Sequence, residues 1–432
     1  MVSLPNLLLE NVIKILNDKP LFLVLAYVII FMMVYSLMSA FSIVEYFPST
    51  ENLINWDAVW YQKIATKGYV YYTDKQSSVA FFPAFPLFWR TLGESPWAAV
   101  FGNVLVYVLS ASLLFKHLKV TLQLKLLVLA GGPMIFFFLP FSESVFFLFG
   151  TLLLIGLKEK KLMFLFLGIL GAGITRSAVV VALPSFLFMS IMIWNKEDKS
   201  TNLKRTSIIA LALILSVFVS VFVQWLDTGE WFVFIEVQKH WGHGFGLPEF
   251  PFWSLGRHSI NTDVAALVIG AICGVEVLIL FLNKLNILKN RELNTIEATE
   301  YFSLGYCLAI ALYVFLFQGG DLHSLNRYIF ATAYYWFFVF YVVKNQKTML
   351  PILIGCIVIF QIAAGMFLNV GIYRTGVGYF RMLFFQFSIF APLFLYSKPH
   401  KWSKVILWIC TAILFVNQIH YLHMYLKGEW IG

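Results

Sequence analysis

The sequence predicts an all-α polytopic membrane protein, and three observations predict it. Of 432 residues, 60% are hydrophobic and 12% charged, with a mean hydropathy of +0.81, far outside the range of a soluble domain. Apolar runs of Leu, Ile, Val and Phe recur at lengths near the roughly 20 residues that a spanning helix needs, without the alternation of a barrel strand. Lysines and arginines fall in short clusters between the runs, as topology signals do. That placement accounts for the formal net charge of +9 and gives no reason to expect a nucleic-acid partner.

Residues 1–19 have neither the basic start nor the cleavage site of a secretory signal, so the run from Leu21 reads as a retained first span. Apolar segments are expected at 20–41, 97–115, 126–139, 141–157, 162–174, 177–194, 206–226, 263–282, 300–317, 327–343, 349–369, 379–397 and 405–424. Several are short for a bilayer core of about 30 Å. The stretch from Leu122 to Trp194 therefore reads as two re-entrant or tilted hairpins or as four spans, and the total as roughly 11–13 membrane helices. Alternating the segments puts Lys116, Lys119 and Lys125; Lys158, Lys160 and Lys161; Lys196, Lys199, Lys204 and Arg205; Lys284, Lys289 and Arg291; Lys344 and Lys347; and Lys398, Lys401 and Lys404 on one side. The positive-inside rule makes that side cytoplasmic. Residues 42–96, "PFSES" at 140–144, "GITRS" at 173–177, and residues 227–262, 318–327 and 370–378 then share the opposite face.

The chain reads as one integral domain over 1–432. Residues 42–96 form the first outer loop, 97–226 the motif-bearing helices, 227–262 an aromatic outer loop and 263–432 the C-terminal helices. Cys273, Cys307, Cys356 and Cys410 lie in apolar runs without CxxC spacing and read as small core residues.

The first outer loop holds "INWDAVWYQKIATKGY", residues 54–69, with Asp57 between two tryptophans. Trp56, Trp60 and Ile64 recur at i, i+4, i+8, which predicts a helix lying in the membrane interface, with Asp57, Tyr61 and Lys63 on other faces. Asn55 or a neighbour is expected to cap it, which puts Asp57 where the helix dipole favours its charge. Pro83 and Pro86 in "AFFPAFPLFWR", residues 80–90, predict a broken, semi-rigid wall beside it. On spacing alone, Asp57 reads as a helix-end charge or as a catalytic acid.

Glu143 is an acid bounded by apolar helices, costly unless it has a role. It either pairs with Arg176 or binds sugar hydroxyls. Arg176 and Arg327 suit a phosphate through their guanidinium forks, or anchor the interface by snorkelling. In "EVQKHWGHGFG", residues 236–246, Gln238, His240 and Trp241 suit a sugar, and Trp241 suits the interfacial aromatic belt equally. His240 and His243 lack a third ligand for a metal. No metal or other cofactor is expected, and a divalent-cation requirement is left open. Asp321, His323 and Arg327 in "GGDLHSLNRY" offer a phosphate or headgroup site, or a loop with a helix start at Ser324.

Four motifs in order, "NWDAVWYQKIATKGY", "AFFPAFPLFWR", "PFSESVFFLFGTLLLIG" and "GAGITRSAVVVALP", resemble the PIG-V family, the second mannosyltransferase of GPI-anchor assembly, and its prokaryotic relatives in the GT-C glycosyltransferase superfamily. The resemblance covers residues 50–190, and beyond them hydropathy and "LNRY" at 325–328. Asn55 stands where eukaryotic members have His, and Phe141 where Tyr is common, which bears on the acceptor.

The resemblance implies a GT-C fold, a polyprenyl-phosphate sugar donor, typically dolichyl-phosphate mannose, and Asp57 as the catalytic acid of the first outer loop. Asn55, Trp56, Tyr61, Glu143, Arg176, Gln238, His240, Trp241 and Arg327 are then candidates for holding donor phosphate or sugar. Transfer to a hydroxyl of a lipid-linked or glycan acceptor needs a base beside it, a role that a carboxylate can fill. No second carboxylate is evident for a retaining double displacement, so inversion is expected. A transporter or flippase of a lipid-linked substrate and a lipid-linked glycan ligase or polymerase are the alternatives. Short loops favour a prokaryotic plasma membrane over an endoplasmic reticulum, with the site on the non-cytoplasmic face.

Overall fold

The computed structural model describes residues 15–118, 120–132, 134–194, 197–242, 244–248, 253–254, 259–288, 296–367, 376–396 and 400–432. In chain order the first helices are α1 (Pro20–Ala40), α2 (Asp57–Lys67), α3 (Ala84–Thr91), α4 (Pro96–Lys116), α5 (Leu122–Ala130) and α6 (Glu143–Glu159). They are followed by α7 (Leu162–Thr175), α8 (Ala182–Ile193), α9 (Lys199–Thr228), α10 (Ile260–Lys284) and α11 (Ala298–Phe317). The last are α12 (Leu325–Phe330), α13 (Ala333–Lys344), α14 (Gln346–Phe367), α15 (Gly376–Leu395) and α16 (Lys401–Leu426). Among the described residues no strand forms, and extended pairing is limited to a bridge between Trp253 and Asp321.

The chain is an all-α, multi-pass membrane protein. Among the described residues six helices, α1, α4, α9, α10, α11 and α16, are long and apolar enough to cross a bilayer. Other apolar runs form shorter helices, such as α6 with 17 residues and α7 with 14. These two approach at backbone distance: a Cβ added to Gly156 would lie 2.5 Å from the Leu165 nitrogen, and one on Gly168 2.5 Å from that of Leu153. Small residues let helices pack this closely where lipid supplies no hydrophobic drive.

Two expected segments are not single helices. The run 126–139 breaks after Ala130, because Gly132 takes a left-handed φ of +61° against the Phe330 ring; a 3₁₀ turn then covers Met134–Phe138. The run 327–343 divides into α12 and α13 because Thr332, in extended conformation, restarts the helix by accepting the Tyr335 N–H on its hydroxyl. Helices α13 and α14 then meet at 114°. Hydropathy is blind to such breaks, since both sides are equally apolar.

Contacts sort the loops into two ends. At one, Lys125 donates to the Asn17 carbonyl, Lys158 to that of His117, and Lys160 and Arg205 both meet Glu197. At the other, Asn55 donates to the Tyr425 carbonyl, Asp57 pairs with Arg327, and Asp227 accepts from the Tyr69 amide. The lysine-bearing and motif-bearing loops that make these contacts thus occupy opposite ends. Lys119, Lys196, Lys289, Arg291, Lys398 and residues 370–375 lie outside the described residues.

Candidate functional site

Asp57 is the first residue of α2. Before it, Trp56 adopts φ 54° and ψ −122°, a conformation that costs a bulky L residue about 1–3 kcal/mol. It is held there by its indole N–H on the Gly428 carbonyl (3.0 Å) and by edge contact with the Trp430 ring (5.1 Å between centroids). Asn55 does not cap α2. Its amide donates to the carbonyls of Asn52 (2.8 Å) and Tyr425 (3.0 Å), tying the first outer loop to the end of α16.

Of the expected stripe, Ile64 turns into the protein. The buried face of α2 consists of Ala58, Tyr61, Ile64 and Ala65, while Trp56 is 40% exposed and Trp60 half-buried. Residues 58, 61 and 65 follow i, i+3, i+7 and meet the protein. Arg90, on α3, donates to the last carbonyls of α2, at Ala65 (2.6 Å) and Ile64 (2.7 Å), satisfying acceptors that a helix end leaves open. Pro83 precedes α3 and Pro86 lies in its first turn, where a missing N–H costs nothing. The wall is thus broken as expected at residues 81–83, between the 3₁₀ turn Ser78–Ala80 and α3, and is a regular helix from Ala84 onward.

From Asp57 a chain of alternating charge runs inward. Arg327 Nη1 donates to Asp57 Oδ2 (2.7 Å), Arg327 Nε to Glu143 Oε1 (2.7 Å), and Arg176 Nη1 to the same Oε1 (2.5 Å). The expected Glu143–Arg176 pair exists, and Arg327 completes it. Asp57 keeps 24% of its side chain exposed, against 2% for Arg327 and 1% for Glu143. Rings of Phe136, Phe141 and Trp430 lie 4.7–5.5 Å from the Arg327 guanidinium carbon, and Tyr328 lies 4.5 Å from that of Arg176, positions that favour a cation. Arg327 Nη2 and Glu143 Oε2 are buried without a hydrogen-bond partner among the described residues.

Each member is held by its own scaffold. Asn103, buried on α4, donates to the carbonyls of Leu139 (2.5 Å) and Phe141 (2.8 Å) and so shapes the turn that presents Glu143 at the start of α6. Ser142 in that turn accepts from the Tyr61 hydroxyl (3.0 Å). Burial pushes the Tyr61 phenol far above its ordinary value, so it stays a neutral donor. Arg327 lies on α12, which begins as predicted after Ser324, itself at φ 67°. Asp263 accepts the Asn326 N–H (3.0 Å), and the Asn326 amide donates to Thr262 (2.9 Å) and to the Ile431 carbonyl (3.1 Å). His323 stacks on Trp430, centroids 4.6 Å apart. Burial raises the Asp321 carboxyl beside it to about 6.

Asp57, Tyr61, Glu143, Arg176 and Arg327 are thus brought together, with Asn55 and Trp56 in the adjoining strap. His240 and Trp241 make their contacts elsewhere, and Gln238 bonds within its own turn. Gln238 donates to its own helical turn at the Phe234 carbonyl, His240 meets the Thr73 carbonyl (3.0 Å), and Trp241 packs edge-on to Trp60 and Phe81. His240 and Trp241 fasten the loop after α9 onto residues 60–81. His243 lies outside the described residues, which contain no cluster fit for a metal. Sequence reasoning missed Asn103, Ser142, Asp263, Asn326, Tyr425 and Trp430; only Trp430, an aromatic just beyond the last apolar run, offered a visible signal.

Compared with protein-family models, curated proteins and solved structures, the chain matches none. The site's chemistry carries the argument: a partly exposed carboxylate beside a guanidinium with an unspent donor suits a ligand bearing both a hydroxyl and an anionic oxygen.

Proposed function

We propose that the protein is an inverting, GT-C type integral-membrane glycosyltransferase that moves a sugar, foremost mannose, from a polyprenyl-phosphate donor to a hydroxyl of a lipid-linked or glycan acceptor. The observation that supports this most is the Asp57–Arg327 pair, in which Asp57 Oδ2 holds one guanidinium nitrogen while buried Arg327 Nη2 has no partner among the described residues. Asp57 takes the acceptor proton as the hydroxyl oxygen attacks the anomeric carbon. The bond from that carbon to the phosphate oxygen breaks, and the polyprenyl phosphate leaves with the electron pair. Arg327 stabilises the charge on the leaving phosphate, the kind of preorganised donor on which such a step depends. Glu143 and Arg176 hold Arg327 in place, and the donor supplies an already activated sugar without a further cofactor. The positive-inside rule supports a non-cytoplasmic site.

The test is to supply purified protein with polyprenyl-phosphate mannose and a panel of lipid and glycan acceptors. Product is expected from wild type, with a loss of at least about a hundredfold for Asp57→Asn, a typical general-base contribution. Equal turnover by the variant removes Asp57 from catalysis.

One observation favours transport instead. Glu276 lies on α10, fully buried, and accepts a hydrogen bond from Tyr341 on α13. It lies about 24 Å along the helix from Ile260, at 1.5 Å per residue, and acids at such depth mark translocation paths. Movement of a lipid-linked sugar between leaflets of reconstituted vesicles, without transfer and abolished by Glu276→Gln, would select that reading.

A further inference from the structure

At the end of the molecule opposite Asp57, a cavity of about 440 Å³ is lined by Asn17, Asp18, Phe115, Lys116, Thr121 and Lys125 among others. Lys125, in the first turn of α5, is only 3% exposed. Its ammonium donates to the Asn17 carbonyl (2.7 Å) and to Asn17 Oδ1 (3.1 Å), and lies 5.9 Å from the Phe115 ring centre. Both oxygens are neutral, and a third N–H has no partner among the described residues. Burying an ammonium against neutral oxygens is unfavourable, and the carboxylate acting on it is that of Asp18, which lines the same cavity. Asp18 offsets one of the two lysines, so the described residues of the lining, Lys116 and Lys125 against Asp18, keep one net positive charge. The start of α5 adds to it. Val120 and Thr121 line the cavity just before the helix, which presents its positive end there, as anion sites do.

We propose that this cavity binds a phosphate group, with Lys125 and Lys116 as its ligands. The surroundings indicate a phospholipid headgroup as the source. Pro20 at the cavity rim begins α1, and Leu21, Phe22, Leu25 and Ile29 on that helix are 41–56% exposed, which gives acyl chains an apolar track directly beyond the headgroup. Basic pockets between membrane helices at the lysine-rich face recognise anionic lipids by this chemistry. The site is separate from Asp57, because α1 puts about 30 Å between the two ends, and it does not depend on the transferase reading.

The experiment measures the thermal unfolding midpoint of the purified full chain in neutral detergent with phosphatidylglycerol, diacylglycerol or inorganic phosphate, alongside lipid binding by native mass spectrometry. Phosphatidylglycerol should raise the midpoint of wild type while diacylglycerol, lacking phosphate, leaves it unchanged. Lys125→Met should abolish the difference, and Lys116→Gln, at an exposed position that does not threaten folding, should weaken phosphatidylglycerol binding about fivefold. Equal effects of the two lipids, or phosphatidylglycerol binding at wild-type strength to Lys116→Gln and Lys125→Met, overturns the proposal. Full stabilisation by millimolar inorganic phosphate, with nothing added by the lipid, overturns the lipid source and leaves the phosphate site standing.

Discussion

Replacing Glu143 by glutamine removes the balance of the charge chain. Asp57 and Glu143 carry two negative charges against the two positive charges of Arg176 and Arg327; a neutral amide in place of the Glu143 carboxylate would leave one net positive charge. Both guanidinium bonds end on the same oxygen, at 2.5 and 2.7 Å, and Glu143 is 1% exposed, so water does not replace what is lost. Breaking a buried pair by removing one partner costs about 3–5 kcal/mol. Arg327 keeps Asp57 and both arginines keep an aromatic ring beside them, so the loss is expected in the lower half of that range. Equilibrium unfolding in mixed micelles of neutral detergent and dodecyl sulfate reads it directly. Arg176→Gln alone should cost less, because Glu143 retains Arg327. The double variant restores neutrality, and its deficit should fall short of the summed single deficits by about 1–3 kcal/mol, the coupling seen between contacting charged groups. A Glu143→Gln protein within about 0.5 kcal/mol of wild type, or strict additivity in the double variant, refutes the reasoning.

Arg327→Lys keeps a charge but not the fork that reaches Glu143 and Asp57 together; sugar transfer is expected to fall about 10²–10³-fold, and wild-type turnover by this variant would remove Arg327 from the leaving-group role. Gly68→Ala puts a side chain at φ +82° and ψ −172° with its Cβ 2.7 Å from Asp227 Oδ2, and should lower stability by about 1–3 kcal/mol; an unchanged unfolding curve would contradict the described turn. Asp321 has a folded value raised by burial from 3.8 to about 6. Its folded form therefore holds the proton more tightly, and its contribution is present below pH 3.8 and is lost as pH rises through about 6. Asp321→Asn should flatten the stability profile across that window, and an identical profile would exclude the shift.

The sequence made the spans and the members of the charge chain legible for the same reason. An acid or arginine among apolar helices is expensive, so Glu143 and Arg176 stand out where a surface residue would not. Their joining was only half legible. Glu143 and Arg176 lie 33 residues apart in neighbouring motifs, but Arg327 lies 184 residues from Glu143 and 270 from Asp57, and periodicity carries no information at that range. The protein-facing side of α2 was not legible because two stripes compete on it. Large tryptophans dominate a hydropathy reading, while small Ala58 and Ala65 decide which side fits against the protein. Asn103 and Asp263 were invisible because their work is to satisfy backbone groups of turns whose shape the sequence did not reveal. The His240 region has the residues of a sugar site, and its contacts, which fasten a loop onto Thr73, Trp60 and Phe81, could not be read from composition.

The strap between the first outer loop and the end of α16 has a consequence in time. Asn55 and Trp56 depend on Tyr425 and Gly428, partners 370 and 372 residues later. At about 5–20 residues per second of synthesis, roughly 20–70 s pass between the making of Asp57 and the arrival of those partners. Through that interval the strained turn before Asp57 has only local bonds such as Asn55 to the Asn52 carbonyl, and Arg327 lacks the Trp430 ring. The contacts that hold the Trp56 turn and cover Arg327 can therefore form only after the last helix is made, long after the early helices.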